Sequence, residues 1–433
     1  MAGEASLVLI ITFSILSLLG LPLAIALVAS SLAAVTMMVP VDMALFTSAQ
    51  KMIASLDSFS LLAVPFFILS GVIMNSGGIA IRLVNFAKLL TGRIPGSLAQ
   101  TNIAGNVLFG CISGSAIAAS TSIGSVMVPI QAKEGYDRSF AAAVNIASAP
   151  TGMLVPPTTA FIIYSLISGG TSVAALFLGG AVAGIVWALG LVLVTVVIAQ
   201  KRQYPLSDRV PFKAAIKITL DAIPSLFLIV FIIGGIVMGI VTPVEASGIA
   251  VIYTMILAFF IHKTMPLRAL PKFLIETSHI TGTIMLLLAA SATLSFAMAF
   301  TGIPSAISAL ILGISNDPIM VMLIINLLLL IIGCFMDIGP AILIFTPILL
   351  PIAMKVGYDP VHFGIVMVFN LAIGTITPPV GTGLFVGATV AKVKVEKVIV
   401  ALVPFYFVLF SLLVVITYIP VITLFLPQLF GLS

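Results

Sequence analysis

Three long stretches of this chain carry no formal charge: residues 5–41, 94–132 and 277–316 contain no Asp, Glu, Lys or Arg. Each exceeds the roughly 20 residues that cross a hydrocarbon core. Of the 433 residues, only 7% are charged and 61% are hydrophobic, whereas a soluble domain carries roughly 25% charged residues. Mean hydropathy is +1.34. The sequence therefore predicts an all-α polytopic membrane protein. A pI of 9.2 fits Lys and Arg gathered on one membrane face rather than a nucleic-acid surface. Cys111 and Cys334 lie in apolar segments and give no disulfide framework. The first residues, MAGEASLVLI, lack the basic start of a cleavable signal, so the first segment is expected to stay as a membrane helix.

The chain also repeats itself. KEGYD at 133–137 returns as KVGYD at 355–359, an offset of 222 that Pro129 and Pro351 share, as do Pro156-Pro157 and Pro378-Pro379. Cys111 and Cys334 fall at 223. Weaker echoes pair Gly20-Leu21-Pro22 with Val241-Thr242-Pro243, and Gly77-Gly78 with Thr301-Gly302. The expected organisation is repeat 1 over 1–200, an amphipathic cytoplasmic connector over 201–219, and repeat 2 over 220–433. Repeat 1 reads as spans near 6–20, 22–39 and 55–75, a hairpin over 94–132, a broken helix over 138–168 and a last span over 172–200. Repeat 2 reads as spans 220–240, 243–261 and 273–300, a hairpin over 318–354, a broken helix over 360–391 and a last span over 397–427.

An odd number of crossings per repeat inverts the second repeat relative to the first. Charge agrees: with the N-terminus outside, sixteen of the 18 Lys and Arg fall inside, Arg209 of the connector among them, and only Lys51 and Lys355 fall outside. That is the bias expected of cytoplasmic loops.

The middle of each hairpin is its most polar point: Cys111-Ile112-Ser113-Gly114-Ser115 in the first, Met336-Asp337-Ile338-Gly339-Pro340 in the second. Asp337 is the sole charge in 318–354. A carboxylate at membrane depth costs about 2.5–3.5 kcal/mol on insertion scales, so it normally faces a cavity or a cation. Charge alone does not separate re-entrant hairpins from paired spans; the small polar tips favour re-entrance, since free backbone groups need a protein-lined or watery cavity. The segments PTGMLVPP (150–157) and GTITPP (374–379) cannot stay helical. Unwinding frees carbonyl oxygens, hard ligands suited to Na⁺, while half-helix N-termini suit an anionic group.

Small residues such as Ser113-Gly114-Ser115 also let helices approach closely; the duplicated pattern beside matching Pro-Pro breaks favours a binding site. Asn145 and Asn370, just ahead of the breaks, could be ligands or could satisfy loose backbone groups. Thr242-Pro243-Val244-Glu245 is a capping-box pattern, which makes Glu245 structural. Glu276 and His279 read as a surface pair, and Trp187 as a packing or interface residue. There is no HExxH, no GxSG, no GxGD and no Walker lysine motif, so the chain reads as a transporter rather than an enzyme, with energy from an ion gradient or a partner.

These residues resemble a known family. The repeated GYD, the breaks NIASAPTGMLVPP and NLAIGTITPPVGT and the tip SGSA resemble the large membrane subunit of tripartite ATP-independent periplasmic (TRAP) transporters over essentially the whole chain, and look closest to its sialic-acid members. The resemblance implies a bacterial inner-membrane secondary transporter with a periplasmic N-terminus, driven by Na⁺ and working as an elevator. It implies two partners: a small membrane subunit, here a separate chain, and a periplasmic binding protein delivering an organic acid. It also implies one Na⁺ site at Ser113, Gly114 and Ser115 with Pro150, Thr151, Gly152 and Met153. A second is expected at Met336, Asp337 and Gly339 with Gly374, Thr375 and Thr377. The substrate would lie between the tips, with Ser115, Asn145, Thr158, Asn370 and Thr382 as candidate contacts. The alternative is a stand-alone Na⁺/carboxylate symporter that needs no binding protein.

Overall fold

The computed structural model describes residues 2–76, 78–207 and 210–432; Gly77 and Arg209, named above, lie outside them. All regular elements among the described residues are helical. In the first half these are α1 (Ala2–Leu18), α2 (Leu23–Thr36), α3 (Val41–Leu56), α4 (Ala63–Ser76), α5 (Ile79–Thr91), α6 (Ser97–Ser113), α7 (Ala116–Lys133), α8 (Arg138–Ser148), α9 (Thr159–Ile167) and α10 (Val173–Lys201). The second half has α11 (Phe212–Val237), α12 (Pro243–Met255), α13 (Leu270–Thr301), α14 (Ile303–Ile314), α15 (Pro318–Phe335), α16 (Ile338–Lys355), α17 (Pro360–Gly374), α18 (Thr382–Ala391), α19 (Val395–Tyr418) and α20 (Val421–Leu429). Eight helices among the described residues are long and apolar enough to cross a membrane. α1 and α2, expected as spans, are shorter than that, at 17 and 14 residues.

The elements recur at the sequence offset. Adding 222 to the bounds of α7 gives those of α16, and the cis bond Pro156-Pro157 recurs as cis Pro378-Pro379. Packing is reciprocal: α7 lies on α18 while α16 lies on α9; α8 lies on α19 while α17 lies on α10; α4 lies on α12 while α13 lies on α2. Each of these three contacts has its mate with the halves exchanged.

Four helices fall where no separate element was expected. α3, α5 and α14 are 16, 13 and 12 residues long, too short for a search tuned to span-length runs. α5 nevertheless buries Ile79, Ala80, Leu83, Val84, Ala87 and Thr91, a helical stripe beside exposed Asn85 and partly exposed Arg82 and Lys88. The expected last span 397–427 is two helices, α19 and α20. Pro420 supplies no N–H to continue the ladder, and the Thr417 carbonyl at the end of α19 accepts from the imidazole of His362 at 3.1 Å. The connector is also shorter than expected, because α11 begins at Phe212 and absorbs its second half.

Other local expectations hold. Thr242 and Glu245 form the capping box at the start of α12, with bonds of 2.8 and 3.2 Å. Trp187 is fully buried; its indole N–H donates to the Ala147 carbonyl at 2.9 Å and its ring meets Phe369 edge-on. It pins α10 to α8 and α17, so it is an interior packing residue.

Candidate functional site

α6 and α7 form the first hairpin, α15 and α16 the second, each turning in two residues. At the first tip α6 stops because Gly114 takes a left-handed backbone (φ 59). Ser115 then caps α7, accepting from the Ala118 N–H at 3.3 Å. At the second tip Asp337 occupies the N-cap of α16, yet its carboxylate makes no capping hydrogen bond. Ser115 and Asp337 stand 222 apart, so the acidic residue replaces a hydroxyl at one structural position.

Each hairpin is pressed onto a helix break through a glycine pair. A Cβ on Gly110 would sit 2.4 Å from the Gly152 Cα, and one on Gly374 would sit 2.5 Å from the Gly333 Cα. Only backbone can meet backbone at that range. Asn145 and Asn370 hold the same junctions. The Asn145 amide donates to the Ser120 carbonyl at 2.9 Å, and its oxygen accepts from Asn106 at 3.1 Å. Asn370 donates to the carbonyl and side-chain oxygens of Asn326 at 3.0 and 2.8 Å. Both asparagines are buried and neither lines the cavity described next, so they act as clasps between hairpin arm and broken helix.

The two tips line one cavity of about 530 Å³. Ser113, Gly114 and Ser115 come from the first tip, Asp337, Ile338, Gly339 and Pro340 from the second, with Met153, Pro157, Thr159 and Ala160 from the first break. The opposite wall is α4 (Phe67, Ile68, Gly71, Val72, Asn75) and α13 (Glu276, Ile280, Thr283, Ile284, Leu287). Three helix N-termini, those of α7, α9 and α16, contribute their first turns to this surface. Their unpaired N–H groups make that side favourable to negative charge. Among the described lining residues there is no Lys, Arg or His.

The expected cation-site residues divide. In the first half the tip and Met153 share the cavity, but Pro150, Thr151 and Gly152 are packed behind it and buried. Gly114 instead abuts Pro157 and Thr158. The Thr151 hydroxyl donates to the Ser148 carbonyl at 2.7 Å, which leaves its oxygen able to accept. In the second half Asp337 and Gly339 face the cavity, while Gly374, Thr375 and Thr377 lie off its surface and Met336 is half-buried beside it. The Gly381 N–H donates to the Cys334 carbonyl at 3.0 Å, joining arm to break. The Thr375 carbonyl already accepts from Gly383 and Leu384, and the Thr377 hydroxyl donates to the Ile373 carbonyl. Thr382 presents a buried hydroxyl with no protein partner. Thr158 caps α9 through its hydroxyl, 3.2 Å from the Ala160 N–H, and its neighbour Thr159 lines the cavity. Among the described residues no three His, Cys, Asp or Glu side chains cluster, so a cation here would rest on carbonyls, hydroxyls and Asp337, donors that suit a hard ion.

Sequence reasoning missed the wall residues. Glu276 and His279 are both exposed, as expected, and Glu276 also opens into the cavity. The available signal was the spacing Glu276, Ile280, Thr283, Ile284, Leu287, one face of a helix. Gly71 was also missed: the Ser113 carbonyl lies 3.2 Å from where its Cβ would be, so the first tip rests on α4 backbone.

A family model described as the tripartite ATP-independent periplasmic transporter, DctM component, matches residues 10–422. The uncharacterized protein YgiK of Salmonella typhimurium is 48% identical over 98% of both chains. The isethionate TRAP transporter permease protein DctMQ of Oleidesulfovibrio alaskensis is 37% identical over 95% of this chain and 65% of its own. The sialic acid TRAP transporter large permease protein SiaM of Vibrio cholerae is 37% identical over 88% of this chain and 90% of its own. The expected closeness to sialic-acid members is thus corrected: YgiK is nearer, and the isethionate relative is equally near. In structure, the Alcanivorax borkumensis YdaH transporter aligns with a TM-score of 0.61 at 13% identity, covering 86% of this chain and 88% of that one, a likeness of fold.

Proposed function

The chain belongs to the DctM component family of tripartite ATP-independent periplasmic transporters, and on that premise we propose that it imports an organic anion together with Na⁺. It is a transporter permease and not an enzyme. The observation that carries the proposal is the convergence of three helix N-termini on one cavity between two hairpin tips, in the absence of any basic lining side chain. An anionic group is then held by N–H dipoles, hydroxyls and bound cations. Na⁺ enters as cargo, liganded near each tip by backbone and hydroxyl oxygens, with Asp337 adding a charge to one site only.

The repeat offset, reciprocal packing and positive-inside bias support two inverted repeats with a periplasmic N-terminus in an inner membrane. In that orientation the end of α4 and the start of α13 are cytoplasmic, and the presence of Asn75 and Glu276 in the cavity lining supports a mouth on the inside and an inward-facing state. Glycine contacts join the hairpins to the broken helices as one body, and α2, α4, α12 and α13 pack together as another, an arrangement suited to an elevator. The fused DctMQ relative supports a small membrane subunit as partner, and the family supports a periplasmic binding protein. Sialic acid is one candidate substrate beside isethionate and dicarboxylates.

Reconstitution of chain and small subunit into vesicles tests this. Uptake of a labelled acid should require inward Na⁺ and added binding protein. Uptake with Na⁺ alone would support a stand-alone symporter, and uptake indifferent to Na⁺ would sink the coupling.

A further inference from the structure

The two sides of the cavity differ in chemistry. The hairpin side offers helix N-termini and the hydroxyls of Ser113 and Ser115, which suit an acid group, together with the Asp337 carboxylate, whose charge the Na⁺ of the transport-site reading offsets. The facing helix α13 offers Glu276, exposed to the cavity, and Thr283, whose hydroxyl proton is already given to the His279 carbonyl at 3.0 Å. α13 therefore presents acceptors, while Asn75 of α4 on the same wall accepts from Ser122 and keeps its amide N–H groups for donation. An ionised carboxylate accepts hydrogen bonds and donates none, and a second negative charge brought against it is disfavoured.

We propose that Glu276 is a specificity-determining residue. It selects an organic acid whose end remote from the acid group donates hydrogen bonds, through hydroxyl or amino groups, and it rejects a second carboxylate. The inference rests on the transport-site reading above. The cavity is bipolar: the acid lies toward the tips and the donor groups toward α13, so the substrate class is a hydroxy or amino monoacid rather than a dicarboxylate. Because Glu276 stands on α13 and not on a hairpin, it reads the part of the substrate that the tips do not hold.

The test is isothermal titration of the purified chain with its small subunit, in NaCl, using gluconate, 4-aminobutyrate and succinate as probes. The wild type should bind gluconate or 4-aminobutyrate about tenfold more tightly than succinate, the low end of what leaving a polar group unpaired costs, since Glu276 is exposed. Preference for gluconate assigns hydroxyl recognition, preference for 4-aminobutyrate amino recognition. Glu276→Gln should reduce the gap to roughly threefold or less, mainly by tightening succinate, and Glu276→Asp should restore it. The proposal is overturned if Glu276→Gln alters all three affinities by one factor, or if the wild type binds succinate as tightly as the others. Na⁺-dependent binding without selectivity would overturn the role of Glu276 alone. Absence of binding by any acid, with or without Na⁺, would overturn the transport-site reading as well.

Discussion

Gly110 and Gly152 meet backbone to backbone: a Cβ on Gly110 would fall 2.4 Å from the Gly152 Cα and 2.8 Å from its nitrogen. The second half repeats the contact with Gly333 and Gly374. No side chain can yield at such a junction, so hairpin and broken helix are registered by the main chain.

Gly110→Ala and Gly374→Ala should therefore each destabilise the protein by about 1–3 kcal/mol, as overpacking of a close-packed interior does. Gly339→Ala should be tolerated, since nothing lies within 4 Å of its Cβ position. Melting temperatures in detergent check the ranking; equal effects at all three positions would contradict it.

Asp337→Asn should leave folding near that of the wild type, because the carboxylate makes no capping bond. The Na⁺ dependence of uptake should shift to higher Na⁺. An unchanged Na⁺ titration in vesicles would remove Asp337 from the cation site.

Trp187→Phe should cost about 1–3 kcal/mol by leaving the buried Ala147 carbonyl without its donor. Trp187→Ala should cost more, about 3–5 kcal/mol, through the cavity it leaves. Thermal unfolding of the two variants should rank them in that order.

His262, which follows the π-helical turn Ile256–Ile261 that continues α12, has its pKa held below the ordinary histidine value, first by burial and then by the nearby Arg82 charge, with Asp221 opposing. Its Nε2 is buried without a partner. The folded protein thus favours neutral imidazole, so the unfolded chain binds the extra proton as pH falls. Stability should be full above about pH 6.5 and decline below it. A pH series of melting temperatures should show this slope in the wild type and a weaker one in His262→Gln.

Much of the architecture was legible because it follows from local chemistry. Uncharged stretches imposed a membrane, Pro156-Pro157 and Pro378-Pro379 broke helices, and Thr242 and Glu245 marked a cap, each acting within a few residues of itself. α5 and α14 escaped because they neither span nor carry strong caps; only the neighbours they pack on make them helices worth forming.

The site divides in the same way. That Ser113–Ser115 and Asp337–Gly339 interrupt apolar runs with small polar groups was determined by the sequence, and the cost of a carboxylate in such a run is what marks Asp337 as facing a cavity or a cation. Tertiary structure alone decided where they meet. It set the first tip on Gly71, tied Asn145 and Asn370 between hairpin arm and broken helix, and turned Glu276 into the cavity. Such placements depend on which distant surfaces come together in space, and no local pattern along the chain specifies them.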